Sequence, residues 1–126
     1  MNVVDSSGWL EYFTNGRNAA FFAPIIEKAA AEVLVPSISL FEVFKRVLME
    51  KNRDDALEAV ALMKEGRVVD LDEDLALSAA ELSWELKIPM ADSIILATAR
   101  AHSAILWTQD AHYKELPGVR YIEKKI

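Results

Sequence analysis

MNVVDSSGWLEYF, residues 1–13, decides how the rest of the chain is read. Asn2-Val3-Val4 is short, apolar and β-branched, and predicts a buried strand. Asp5 ends it, Ser6 and Ser7 follow, and Trp9, Leu10 and Phe13 then fall on one side of a helix. A buried strand that delivers a carboxylate to a helix mouth fits an open α/β sheet, where ligands bind beyond the carboxyl ends of the strands. Asp is also a favoured N-cap, and capping alone accounts for Asp5. Chemistry requires that other acids reach the same place.

The pattern repeats downstream. "VLV" before Pro36, "RVVDL", "AILWT" and "VRYI" predict further short strands. Between them lie helical stretches: residues 18–32, interrupted or kinked by Pro24, then 37–51, 53–66, 72–87 and 90–103. In the 37–51 helix the predicted apolar face is Leu40, Phe41, Phe44, Val47 and Leu48, and Gly66 is the predicted C-cap of the next helix. "QDAHYKEL" reads as a turn and short helix. Strands alternating with helices predict a parallel sheet covered on both faces, in one domain spanning 1–126.

Composition narrows the function. Hydrophobic residues make up 52% of the 126, enough for a packed core. The absence of cysteine excludes disulfides, thiolate zinc sites and cysteine nucleophiles. No signal-peptide pattern opens the chain and no apolar run is long enough for a bilayer, so the expectation is a soluble cytoplasmic protein with no membrane role. Twenty acidic residues against fourteen basic ones give a net charge of −6, which argues against nucleic-acid binding by a broad basic surface. A nucleic-acid function must then be local, through a small basic patch or through carboxylates that hold cations.

Four acids stand where such a site would form. Asp5 follows the first strand, Glu42 lies one turn into the helix after the second, Asp92 opens the helix "ADSIILATA", and Asp110 follows "AILWT". Converging carboxylates repel unless a cation lies among them. Hard oxygen ligands without cysteine or histidine nearby favour Mg²⁺, with Mn²⁺ as the alternative. Each acid also has a purely structural reading. Asp5, Asp92 and Asp110 suit N-caps. Ser39-Leu40-Phe41-Glu42 fits a capping box, and Lys45 and Arg46 stand at ion-pair spacing from Glu42. Among the other polar and aromatic residues, His102 reads as a helix C-terminal residue, and His112 has no metal-site spacing. Trp9, Trp84 and Trp107 are either base-stacking residues or residues of the core or an interface, with Trp107 assigned to the core.

Taken together, "VVDSSGWLEYF", "PSISLFEV", "MADSIILATA" and "ILWTQDAHYKEL" resemble the PIN-domain ribonucleases, and more closely the VapC-type toxins of toxin–antitoxin pairs. The D-x-x-[IL]-x-A-x-A pattern is met by Asp92, Ile95, Ala97 and Ala99, and T-x-D-x-x-[FY] by Thr108, Asp110 and Tyr113. The resemblance implies a three-layer α/β/α PIN-like fold with a short, mostly parallel sheet of four to five strands. It implies a Mg²⁺-dependent endoribonuclease that leaves a 3′-hydroxyl and a 5′-phosphate. Asp5 and Asp92 would be direct ligands, Asp110 would complete the shell or hold water, and Glu42 would act through water or help deprotonate the nucleophile. Ser6 and Thr108 would hydrogen-bond these acids, while Lys45, Arg46 and Arg100 are candidate RNA contacts or, on the structural reading, solvated helix charges. The implied partners are a cognate antitoxin, an RNA substrate, and a second copy in a homodimer or hetero-oligomer. Phe21, Phe22, Ile25 and Ile26 are candidate contact residues for antitoxin or dimer, with core packing as the structural alternative that explains much of their apolar character. Two alternatives stand beside this reading: a phosphoacceptor receiver-like domain using Asp70, and a non-catalytic PIN-like binding module.

Overall fold

A computed structural model describes residues 1–28 and 30–125. Five strands, β1 (Asn2–Val4), β2 (Val33–Pro36), β3 (Arg67–Val69), β4 (Ile105–Thr108) and β5 (Val119–Tyr121), form one sheet in the order β3-β2-β1-β4-β5. Every pairing is parallel, with Val3 opposite Leu34 on one side and Leu106 on the other. Six helices connect them: α1 (Ser6–Phe13), α2 (Ala19–Lys28), α3 (Ser37–Glu50), α4 (Arg53–Met63), α5 (Glu73–Leu86) and α6 (Met90–Ala101). Pro24 lies inside α2 without ending it. Ala29, within the predicted 18–32 helix, lies outside the described residues.

Strand alternation divides the core. Val4, Val33 and Val35 face Trp9, Phe22, Ile26, Val43, Ala59 and Met63 of α1–α4. Val3, Leu34 and Leu106 face Ile95, Leu96 and Ala99 of α6, with Leu82 and Leu86 of α5 at the margin. The result is a three-layer α/β/α fold. The windings turn back at β1, which lies between β2 and β4, so the crevice beyond β1 and β4 is a topological switch point.

Two glycines set the approach of the layers. A Cβ at Gly8 would fall 2.6 Å from the Phe22 ring and 2.7 Å from Val4, so glycine lets α1 lie close over β1 and α2. A Cβ at Gly66 would fall 2.7 Å from the Val33 carbonyl. Here α4 ends at Met63, and Gly66 lies beyond the Lys64 cap in the turn into β3.

Some local expectations shift. On α3 the buried residues are Ser39 and Val43, whereas Phe41 and Leu48 of the predicted apolar face are exposed. The capping box is absent, because α3 begins at Ser37 after Pro36 and Ser39 sits inside the helix. Phe22 and Ile26 are buried, and Phe21 and Ile25 pack against the same cluster. These four are therefore core rather than a free docking surface. Trp107 packs partly buried on that cluster, Trp9 is buried, and Trp84 is exposed. Among the described residues, no helix is long and apolar enough to cross a membrane.

Candidate active site

Asp5, Glu42, Asp92 and Asp110 line one cleft of about 240 Å³ at the carboxyl ends of β1 and β4, together with Ser6, Ser7 and Arg46. Four distant segments meet there. Asp5 arrives on β1, Glu42 on the second turn of α3, Asp92 on the first turn of α6, and Asp110 on the loop after β4.

Asp5 is both the N-cap of α1 and a wall of the cleft. Its carboxylate accepts from the Gly8 N–H at 2.9 Å, the Ser7 hydroxyl at 2.9 Å and the Thr108 hydroxyl at 2.8 Å. Thr108 Oγ1 in turn accepts from the Asp110 N–H at 2.9 Å, so one hydroxyl links two of the acids. Burial still dominates. It pushes the Asp5 pKa up to about 7, against the three hydrogen bonds and with help from Asp110. A carboxyl built into the core that resists ionisation is one that a cation would relieve.

Glu42 accepts a 2.6 Å hydrogen bond from the Ser6 hydroxyl. Arg46 is paired with Glu50 at 3.2 Å, and the Lys45 ammonium lies 5.8 Å from the centre of the Phe41 ring. The predicted Glu42 ion pair is thus replaced by a hydroxyl bond from α1. Among the described residues, the buried Ser39 hydroxyl has no partner, so it does not hold Glu42 through a cap.

Asp92 is the third residue of α6, whose N-cap is Pro89, so the capping reading does not apply to it. Burial first, and then Asp110, raise its pKa, and His112 opposes them only in part. Asp110 does cap, accepting from the His112 N–H at 2.9 Å at the start of a short 3₁₀ turn (Ala111–Tyr113). That turn carries the His112 ring back over the acids. Its Nδ1 stands 2.6 Å from Asp92 Oδ2 and 3.1 Å from Asp110 Oδ1. The Asp92 hydrogen bond, with Asp110 behind it, raises the His112 pKa.

His112 overturns the expectation of a site without histidine. Asp92, Asp110 and His112 each offer a ligand atom within 4.8 Å of the others, and this cluster can hold a metal ion. The Asx turn at Asp110 was the signal in the sequence, because it folds the residue two positions ahead back onto the carboxylate. Below the site, the Tyr113 hydroxyl donates to the Asp92 carbonyl at 3.0 Å. Burial raises its pKa first, and then Asp5, Asp92, Asp110 and Glu42 add to the shift, so all four acids bear on one buried ring. The side chains of Asn18 and Gln109, joined at 2.9 Å, tie the start of α2 to the loop after β4.

The other candidates separate by position. Arg46 lines the cleft. Lys45 faces an apolar groove with Phe41 and Phe44, and Arg100 borders a groove between α5 and α6. Asp70 is exposed after the edge strand β3, with β2 between that strand and β1.

The fold and cleft together define an all-parallel α/β protein with carboxylates clustered at the end of a central strand, where open α/β sheets place their ligands. The sequence matches the PIN domain family model over residues 3–119, and the chain belongs to that family. No curated protein matches it in sequence. Solved structures share its fold. One is a toxin–antitoxin complex from Klebsiella pneumoniae, 24% identical with a TM-score of 0.77, covering 95% of this chain and 96% of that one. Another is VapBC2 from Rickettsia felis bound to a DNA fragment from their promoter, 17% identical with a TM-score of 0.74, covering 97% of each chain. A third is VapC20 from Mycobacterium tuberculosis, a sarcin-ricin loop cleaving toxin, 17% identical with a TM-score of 0.68, covering 82% and 85%.

Proposed function

We propose that this PIN-domain protein is a divalent-metal-dependent endoribonuclease acting as the toxin of a toxin–antitoxin pair in the cytoplasm. One observation carries the reading: four carboxylates from four distant segments line one cleft at the switch point. A fold needing only helix caps has no reason to gather them. An anionic phosphodiester would be repelled by them unless a cation intervened. The donor set fits Mg²⁺ or Mn²⁺, being rich in carboxylate oxygens, and His112 adds a nitrogen better suited to Mn²⁺.

When bound, such a cation supplies the positive charge that admits the phosphate and acidifies water. The chain's own groups do the rest. Asp5, Asp92 and Asp110 hold the charge. Thr108 keeps Asp5 and the Asp110 backbone in register, and Ser6 fixes one oxygen of Glu42. The other Glu42 oxygen is then placed to take a proton from the attacking water. A new P–O bond forms, the bond to the 3′-oxygen breaks, and that oxygen leaves as the 3′-hydroxyl with a proton from solvent. Arg46 at the cleft wall is the cation best placed to steady an RNA phosphate.

The named relatives support the partner as well. The Klebsiella protein is part of a toxin–antitoxin complex, and the Mycobacterium protein cleaves the sarcin-ricin loop. A cognate antitoxin that blocks the cleft is the corresponding partner here. The test is cleavage of a mixed RNA pool with Mg²⁺ or Mn²⁺, with chelator, and with Asp92→Asn. Cleavage that needs the metal and disappears in the variant supports the proposal. Equal decay with wild type and variant would instead favour a non-catalytic binding module.

A further inference from the structure

Thr108 and Asp110 turn their side chains to the cleft acids, and Gln109 between them turns the other way, as alternate residues of an extended chain do. The Gln109 side chain is 4% exposed and ends against α1. Its amide nitrogen donates to the Ser7 carbonyl at 3.4 Å and to Glu11 Oε1, one helical turn further on, at 3.4 Å. Its amide oxygen accepts from Asn18 Nδ2 at 2.9 Å. Asn18, 2% exposed, closes the ring, because its backbone N–H donates to Glu11 Oε2 at 2.8 Å.

Stability is a poor account of this ring. Buried amides lose hydration that their hydrogen bonds recover only modestly, and apolar side chains of the same shape would hold the layers about as well. Asn18 Oδ1 has no partner among the described residues, so the ring is not even complete. What a buried polar network does better than an apolar contact is fix one arrangement of the segments it joins.

We infer that Gln109 is a positioning residue for the carboxylate cleft, setting the separation between the loop after β4 and the first turn of α1. Three of the acids hang on those two segments. Asp110 is the next residue along the chain. Asp5 accepts from the Ser7 hydroxyl, and Glu42 accepts from the Ser6 hydroxyl. Both serines lie on the turn whose carbonyl Gln109 holds. Thr108 joins Asp5 to Asp110 on the cleft side, and Gln109 fastens the same two segments from behind. An amide is the group this place needs, with a donor edge for Ser7 and Glu11 and an acceptor edge for Asn18. Glutamate has the same shape and no donor. Gln109 acts through the Ser7 backbone and its own, touching neither cation nor RNA. The inference rests on the metal-dependent reading of the cleft.

Titration of the full chain with Mn²⁺, followed by electron paramagnetic resonance of the free ion, tests it, with the melting temperature in chelator measured alongside. Wild type should bind. Gln109→Glu sets a carboxylate against the Ser7 carbonyl and the Glu11 carboxylate, and should weaken binding by about tenfold or more, as loss of outer partners does. Adding Glu11→Gln returns a donor to that contact and should recover most of the affinity. Gln109→Met keeps the length without the amide and should also weaken binding, which decides the matter if Gln109→Glu fails to fold. Ile26→Val, in the core under α2, should lower the melting temperature and leave the affinity unchanged. Wild-type affinity in the folded Gln109 variants, a double variant no better than Gln109→Glu, or an equal loss in Ile26→Val would overturn the inference and leave the metal site standing. A wild type that binds no Mn²⁺ would overturn the metal reading and this inference with it.

Discussion

Asp5 and Asp92 face the same cleft and are held in opposite ways. Asp5 is buried, caps a helix, and accepts from Ser7, Gly8 and Thr108. Asp92 caps nothing, sits partly open on the first turn of α6, and is met by His112 from a turn twenty residues away. The first acid is fixed by structure that would exist without any chemistry. The second caps no helix, and its carboxylate meets the half-exposed ring of His112, which makes it the better witness to function. Substitutions should therefore separate the two: Asp92 in activity, Asp5 in activity and stability together.

The largest expected effect is Asp92→Asn, which should reduce metal-dependent RNA cleavage to background while leaving the melting temperature in chelator unchanged or raised. A loss of fold in circular dichroism would move Asp92 to the structural side. Thr108→Val comes next. It removes the hydroxyl that joins Asp5 to Asp110, and outer partners of this kind are worth roughly 10- to 100-fold in metal affinity. Titration of Mn²⁺ would measure that change, and an unaltered affinity would show that the backbone alone holds these acids.

Asp5 should declare itself through pH. Its pKa in the folded, metal-free protein is raised to about 7 from 3.8. The folded state thus binds this proton more tightly than the unfolded chain. That contribution is complete below about pH 3.8 and is lost as the pH rises through 7. In chelator, the melting temperature of wild type should fall across this window, and that of Asp5→Asn should fall less. Asparagine keeps a capping oxygen for Gly8 while removing the charge. The gain at pH 8 should be about 4 °C for each kcal/mol of buried charge relieved. Equal slopes for the two proteins would mean that Asp5 ionises without cost. The smallest effect should be Tyr113→Phe, which deletes one hydrogen bond to the Asp92 backbone and should cost about 1 kcal/mol in urea unfolding.

The strands and most helices were legible because short β-branched runs and amphipathic rows leave few alternatives. The positions of the four acids were legible for the same reason, since each follows a strand end or starts a helix beyond one. What escaped depended on three-dimensional approach. His112 reaches Asp92 only because a 3₁₀ turn folds it back toward α6. Ser39 mimicked a capping box because S-x-x-E is a local pattern, while the true start of α3 was set by Pro36. Phe41 entered the predicted face of α3 on hydrophobicity alone, yet Val43 takes the buried position and leaves Phe41 62% exposed. Periodicity cannot tell an inward apolar residue from an outward one when a helix has both, as α5 does as well.

The most direct test of the carboxylate cleft is a crystal of the protein soaked in Mn²⁺ and measured at the manganese absorption edge. An anomalous peak in the cleft among Asp5, Glu42, Asp92 and Asp110, lost in a crystal of Asp92→Asn, is the expected result. A wild-type cleft without a peak at millimolar Mn²⁺, or a peak that persists in the variant, would contradict the assignment of these acids as a metal site.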